Sequence, residues 1–181
     1  MTVQSFYQKA LKFAAAKHRE KNQLVPGTNL PYLVHVCNVA MEILTCAPYS
    51  VDFDLKTAVQ IALLHDTLED TNTTLDELMY EFGAEVSLGV SALTKSESLP
   101  KEKRMMDSLH RIKSLPKEVW AVKLADRITN LQKPPANWKN EKRIEYQLEA
   151  KLILKELAGG NDYLEARLEE LIVEYGNYIK D

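Results

Sequence analysis

Cysteine is nearly missing from this chain: only Cys37 and Cys46 occur among 181 residues, and no spacing resembles a zinc finger or a disulfide framework. A reducing, cytosolic compartment is the expectation. Long hydrophobic runs are also lacking, since nothing approaches the roughly twenty apolar residues that a membrane span needs. The opening MTVQSFYQKALKFAAAKHREK is amphipathic, but it carries charges throughout and has no small-residue cleavage site, so it does not read as a secretory signal. Charge of one sign is modest: 23 Lys and Arg stand against 26 Asp and Glu, a formal net charge of -3. A nucleic-acid footprint is normally strongly basic, so nucleic acid and membrane are both set aside as partners. Any anionic ligand has to be met by a local patch. Alternating apolar and polar runs bounded by turns, the mark of strands, are hard to find.

What fills the chain instead is helical periodicity, which predicts an all-α fold, a single domain over 1–181 with about 8–10 helices. A first helix is expected at about 3–20, a second at about 34–47 stopped by Pro48, and a third at about 55–69 capped by Asp52 or Asp54. Thr74 with Glu77 suits a capping box for a short helix that Gly83 ends, and a further helix covers about 84–93. After the lysine-rich segment Lys95 to Arg104 a helix runs to about Lys113. Pro116 opens the next as a first-turn proline and Pro134-Pro135 closes it. Two more are expected at about 139–158 and 161–178, split by Gly159-Gly160. His18 and His110 are expected at the surface or at caps, and Cys37 as core filler.

The chemistry concentrates in Leu63-Leu64-His65-Asp66-Thr67-Leu68-Glu69-Asp70. On a continuous helix His65 lies one turn from Glu69 and Asp66 one turn from Asp70. Carboxylates at a helix C-terminus oppose the macrodipole, so a cation there is expected to compensate. His35, in Pro-Tyr-Leu-Val-His, and Asp126, in Val-Lys-Leu-Ala-Asp-Arg-Ile-Thr-Asn, complete a mixed N/O set with His65 and Asp66. Such ligands suit Mn²⁺ or Fe²⁺ and leave Zn²⁺ open. Glu69 and Asp70 then remain free to take a proton or position a nucleophile. Around Asp126, Lys123 and Asn130 lie three and four residues away on neighbouring helical positions, an arrangement that suits an anionic ligand beside a metal. Lys123, Arg127 or Arg143 can neutralise charge on a departing group.

Taken together these residues resemble the HD-domain metal-dependent phosphohydrolases, with His35, His65-Asp66 and Asp126 matching the H…HD…D signature. The blocks Pro31 to His35 with Val39-Ala40, Ala62 to Thr71, Leu93-Thr94-Lys95 and Val122 to Leu131 are similar to the hydrolase domain of the RelA/SpoT alarmone enzymes, and the extent resembles the stand-alone small alarmone hydrolases. The resemblance implies an HD-type helical bundle without a synthetase domain and one Mn²⁺. It also implies hydrolysis of the 3′-pyrophosphate of guanosine tetra- or pentaphosphate to GDP or GTP and pyrophosphate. Catalytic roles would fall to Glu69 and Asp70, and nucleoside contacts to Asn130 and Tyr146.

Two departures from the pattern stand out. Members usually carry an Arg-Lys pair before the Gly-x-Pro-Tyr turn, where this chain reads Lys21-Asn22-Gln23-Leu24-Val25-Pro26-Gly27-Thr28-Asn29-Leu30, with Lys21 as the candidate stand-in. Val36 replaces the usual proline after the first histidine. Another phosphorylated nucleotide, NADPH or a nucleoside phosphate, therefore stays open as substrate, as does a non-catalytic nucleotide sensor. A small-molecule partner and a monomer or homodimer are expected.

Overall fold

The computed structural model describes residues 2–179. Ten α-helical segments carry the described chain: α1 (Val3–Glu20), α2 (Leu33–Cys46), α3 (Leu55–Leu64), α4 (Thr67–Asp70), α5 (Leu75–Phe82), α6 (Ala84–Leu93), α7 (Lys101–Lys113), α8 (Lys117–Asn130), α9 (Asn140–Glu156) and α10 (Asp162–Tyr175). No strand forms among the described residues, only one antiparallel bridge between Leu24 and Pro31. The all-α expectation holds.

Two helices have to be central because they are buried on nearly every side. Thr57 through Leu64 of α3 are all buried, as are most residues of α8 from Glu118 to Ile128, a pattern that only an enclosed helix tolerates. α3 packs against α1, α2, α6 and α8, and α2 packs in turn on α8. Small residues permit the close approaches. Ala10 and Ala14 are the fully enclosed apolar positions of α1. At Gly89 of α6 a Cβ would come within 2.6 Å of Ile61 Cδ1 on α3. The outer helices α9 and α10 close one flank, and a bidentate pair from Arg167 Nε and Nη2 to the buried Glu42 carboxylate (2.7 and 2.8 Å) ties α10 to α2.

Side-chain caps account for four of the ten α-helix starts, those of α1, α3, α5 and α10. Asp54, not Asp52, caps α3, accepting from the Lys56 and Thr57 N–H groups. Thr74 accepts from the Glu77 N–H, but Glu77 turns its carboxylate to Lys17 Nζ (2.7 Å) instead of closing a capping box. Pro116 stands at the N-cap of α8, one position before the helix. The largest difference from expectation lies after Leu64. The expected helix over 55–69 breaks at His65-Asp66, because the His65 ring Nδ1 hydrogen-bonds the Ala62 carbonyl (2.8 Å) and Thr67 Oγ1 donates to the Leu64 carbonyl (2.7 Å). Side chains have taken the acceptors that the next turn needs.

Candidate metal centre and substrate cavity

The break sets His65 and Asp66 at the joint between α3 and α4, facing the first turn of α2, which carries His35, and the middle of α8, which carries Asp126. Because α2, α3 and α8 pack on one another, these side chains converge although 91 positions of sequence separate the first from the last. His35, His65 and Asp126 are buried, and one ligand atom from each lies within 4.8 Å of the others. His35 Nε2 is 3.3 Å from His65 Nε2. Asp126 Oδ1 is 3.5 Å from His35 Nε2 and 3.6 Å from His65 Nε2. Asp66 Oδ2 joins at 2.9 Å from His65 Nε2 and 3.6 Å from His35 Nε2.

These separations fit a divalent ion. Two donors each about 2.1 Å from one ion and roughly 90–110° apart lie about 3.0–3.4 Å from each other, close to the spacings found. The donor chemistry agrees. His65 Nδ1 donates its proton to the Ala62 carbonyl, which leaves Nε2 as the lone pair turned toward the other ligands. A lone pair held against two carboxylates and a second imidazole calls for positive charge. Within the protein alone that charge falls on His65: burial would depress its pKa, but the Asp66 and Asp126 carboxylates outweigh burial and hold it well above 6.5. Burial would likewise raise both acids, yet His65 brings Asp66 down to about 2, and Lys123, with the two histidines, holds Asp126 well below the usual carboxylate range. No thiolate takes part, so a closed structural zinc site is not what these residues build.

Asp126 is anchored on both oxygens. Lys123 Nζ, itself buried, lies 3.0 Å from Oδ2, and Asn130 Nδ2 donates to Oδ1 at 2.6 Å. Asp66 is anchored too, by the hydroxyl of Tyr32, which donates to its Oδ2. The acidic pair lies outside the ligand cluster and is exposed. Glu69 Oε2 accepts the Lys95 backbone N–H (3.0 Å), and Asp70 Oδ2 accepts from Gln23 Nε2 (2.8 Å). Partial burial and the charge of Asp66 push the Asp70 carboxyl upward.

Next to His35 opens a cavity of about 260 Å³ between the 25–30 hairpin, α2, the 129–138 segment and α9. Asn38, Asn130, Lys133, Trp138 and Tyr146 line it with His35. Gly27, at φ +77°, makes the hairpin's tight turn, and a Cβ there would meet Pro135 at 3.2 Å, so the two loops close together over one side. Behind Tyr146 lies Arg127, 4.5 Å from the ring centroid and paired with Glu149. A larger cavity of about 570 Å³ sits between α1 and the hairpin, bordered by Lys12, Arg19, Leu24 and Leu33 and reaching His18, Gln23 and Tyr32 but none of the converging ligands.

The other expected substrate residues are placed differently. Lys123 faces Asp126 from within the core and does not line the cavity beside His35. Arg143 donates from Nη1 to the Tyr178 carbonyl (2.8 Å), and Lys21 is exposed at the C-cap of α1; neither lines that cavity. Arg104, at the end of the lysine-rich segment, is bound to the Leu99 and Glu97 carbonyls. His18 corrects its expectation. It is 2 % exposed, not a surface group, because its ring packs against Tyr32 (4.9 Å between centroids) and its Nδ1 meets Gln23 Oε1 at 2.6 Å. Tyr32, Gln23 and His18 are thus the neighbours of the acids that sequence reasoning missed. Only the nearness of Tyr32 to His35 signalled any of them.

Comparison with known proteins agrees with this geometry. The HD domain family matches residues 10–162. Over 172 residues the chain is 38 % identical to the mouse guanosine-3′,5′-bis(diphosphate) 3′-pyrophosphohydrolase MESH1, covering 92 % of this chain and 93 % of that protein. The Drosophila melanogaster protein of that name is 31 % identical over 174 residues, 94 % of each chain. A solved structure described as "A metazoan ortholog of SpoT hydrolyzes ppGpp and plays a role in starvation responses" superposes with a TM-score of 0.79 at 31 % identity, covering 94 % of this chain and 96 % of that one.

Proposed function

The chain belongs to the HD-domain family, and on that premise we propose that it hydrolyses the 3′-pyrophosphate of guanosine tetra- or pentaphosphate, giving GDP or GTP and pyrophosphate. The observation that carries the reading is the convergence of His35, His65, Asp66 and Asp126 beside two acids left out of the cluster. These four residues would hold one divalent ion, Mn²⁺ by donor type, with Fe²⁺ or Zn²⁺ as alternatives. When bound, the ion supplies Lewis-acid charge at the reacting phosphoryl group.

The protein's own groups do the rest. Hydrolysis adds water across the bond between the 3′ oxygen and phosphorus, so one proton has to leave the attacking water and one has to reach the departing 3′ oxygen. Glu69 and Asp70 are the acids outside the ligand cluster and serve that transfer, the Asp70 carboxyl pushed upward by partial burial and by the charge of Asp66. Lys123 and Asn130 keep Asp126 charged and aimed. Asn130 also faces the cavity, where Tyr146 and Trp138 offer ring surface to a nucleoside. The cations Arg143 and Lys21 serve substrate phosphates that extend past that cavity, and residues 1–181 act as one hydrolase unit, a cytosolic monomer or homodimer.

The test is to incubate metal-loaded protein with ppGpp, NADPH and a panel of nucleoside phosphates and to identify the products by chromatography. Pyrophosphate and GDP from ppGpp support the reading. Orthophosphate from NADPH transfers the chemistry to another nucleotide, the outcome that the changed 21–30 loop would favour, and no turnover of any substrate leaves a binding module.

A further inference from the structure

Resting on the pyrophosphohydrolase reading above, we propose that Gln23 is a positioning residue whose side-chain amide, oriented by His18, fixes the Asp70 carboxylate beside the metal centre. The amide bridges two partners, His18 Nδ1 at 2.6 Å and Asp70 Oδ2 at 2.8 Å. An ionised carboxylate offers only acceptors, so the NH₂ end of Gln23 faces Asp70 and the carbonyl end faces His18. His18 Nδ1 therefore carries the proton. Its Nε2 is buried without a partner, which disfavours a proton there and leaves the ring in that one tautomer.

The backbone of Gln23 is fixed on both sides. Its N–H donates to the His18 carbonyl (3.1 Å) and its carbonyl accepts the Tyr32 N–H (3.0 Å), while Tyr32 packs on the His18 ring and donates its hydroxyl to Asp66. The two residues paired at the foot of the hairpin thus each hold one acid, Gln23 the proton-transfer acid and Tyr32 the clustered one. An amide bridge orients a carboxylate without relaying a proton. The part assigned to Gln23 is therefore geometric, and its loss should be felt in the chemical step.

The experiment uses the full chain with ppGpp and Mn²⁺, and compares wild type with Gln23→Leu, Gln23→Asn, His18→Asn and His18→Gln. Gln23→Leu has no amide, and Gln23→Asn is too short to span both contacts. The amide of His18→Asn sets a donor near the place of Nδ1, whereas that of His18→Gln sets it near Nε2. Both Gln23 variants and His18→Gln should lose kcat by roughly ten- to a hundredfold, with KM and calorimetric Mn²⁺ affinity within about twofold of wild type, and His18→Asn should keep kcat within about threefold. Unchanged kcat in the Gln23 variants, a loss confined to KM or Mn²⁺ affinity, or equal losses in both His18 variants overturns the inference while leaving the hydrolase reading intact. A wild-type chain that releases no pyrophosphate overturns the hydrolase reading, and the inference with it.

Discussion

Replacing Lys123 with methionine should weaken the metal-free protein far more than the metal-loaded one. The Lys123 Nζ lies 3.0 Å from Asp126 Oδ2, and the two side chains are only 8 % and 10 % exposed. At that distance the gross attraction is about 5 kcal/mol for an effective dielectric constant near 20. Breaking a buried pair by removing one partner costs about 3–5 kcal/mol, because the other charge is left uncompensated. For a chain of this size each kcal/mol is worth about 2–4 °C, so the metal-free variant should melt roughly 6–20 °C below wild type. A divalent ion at His35, His65, Asp66 and Asp126 replaces the missing charge and binds an Asp126 that no longer shares its electrons with Lys123. Metal should then stabilise the variant more than wild type, narrowing the gap. The assay is thermal unfolding of both proteins in EDTA and in saturating Mn²⁺. A variant as stable as wild type in EDTA, or a gap that metal leaves unchanged, would refute this account of the charge balance around Asp126.

Asp66→Ala should abolish both Mn²⁺ binding and turnover, whereas Glu69→Gln should bind Mn²⁺ normally and lose turnover; calorimetry and a pyrophosphate-release assay separate the two, and normal rates in Glu69→Gln would remove that residue from catalysis. The metal-free protein should show a stability window in pH. The raised pKa of His65 makes its contribution complete below 6.5 and lost as pH climbs toward the raised value, by up to about 1.4 kcal/mol per pH unit, while the depressed Asp66 and Asp126 contribute above 3.8 and lose their share as pH falls, Asp66 toward about 2. Urea titrations from pH 3 to 9 in EDTA should place the maximum between those limits, and stability still rising above pH 7 would count against it. Arg167→Leu removes the bidentate partner of buried Glu42 and should cost about 2 kcal/mol in urea unfolding, with kcat unchanged because α10 supplies no group to the site.

Much of this was legible in the residues because it is local. Helical periodicity placed α1, α2 and α6 within a residue or two of where they form, and short polar side chains marked the starts of α3 and α5. The four converging residues were legible through the resemblance and not through spacing, since nothing periodic links His35 to Asp126. Partnerships between segments left no trace. Gln23 sits in a loop and reads as a solvated turn until α4 brings Asp70 to it. His18 reads as a surface histidine on a charged helix end until Tyr32, fourteen positions later, covers it. The break at His65 was hidden for a physical reason as well: the ring that ends α3 does so through its own hydrogen bond, which no helix propensity records.

One cation shared by α2, the joint after α3, and α8 is the centre of the proposed chemistry. A crystal of the protein grown with Mn²⁺ and measured across the manganese absorption edge tests this directly. The result expected is a single anomalous peak in bonding contact with His35 Nε2, His65 Nε2, an Asp66 oxygen and an Asp126 oxygen, with Glu69 and Asp70 nearby but not coordinated. A peak elsewhere, no peak at saturating Mn²⁺, or an ion bonded by Glu69 and Asp70 in place of the histidines would contradict it.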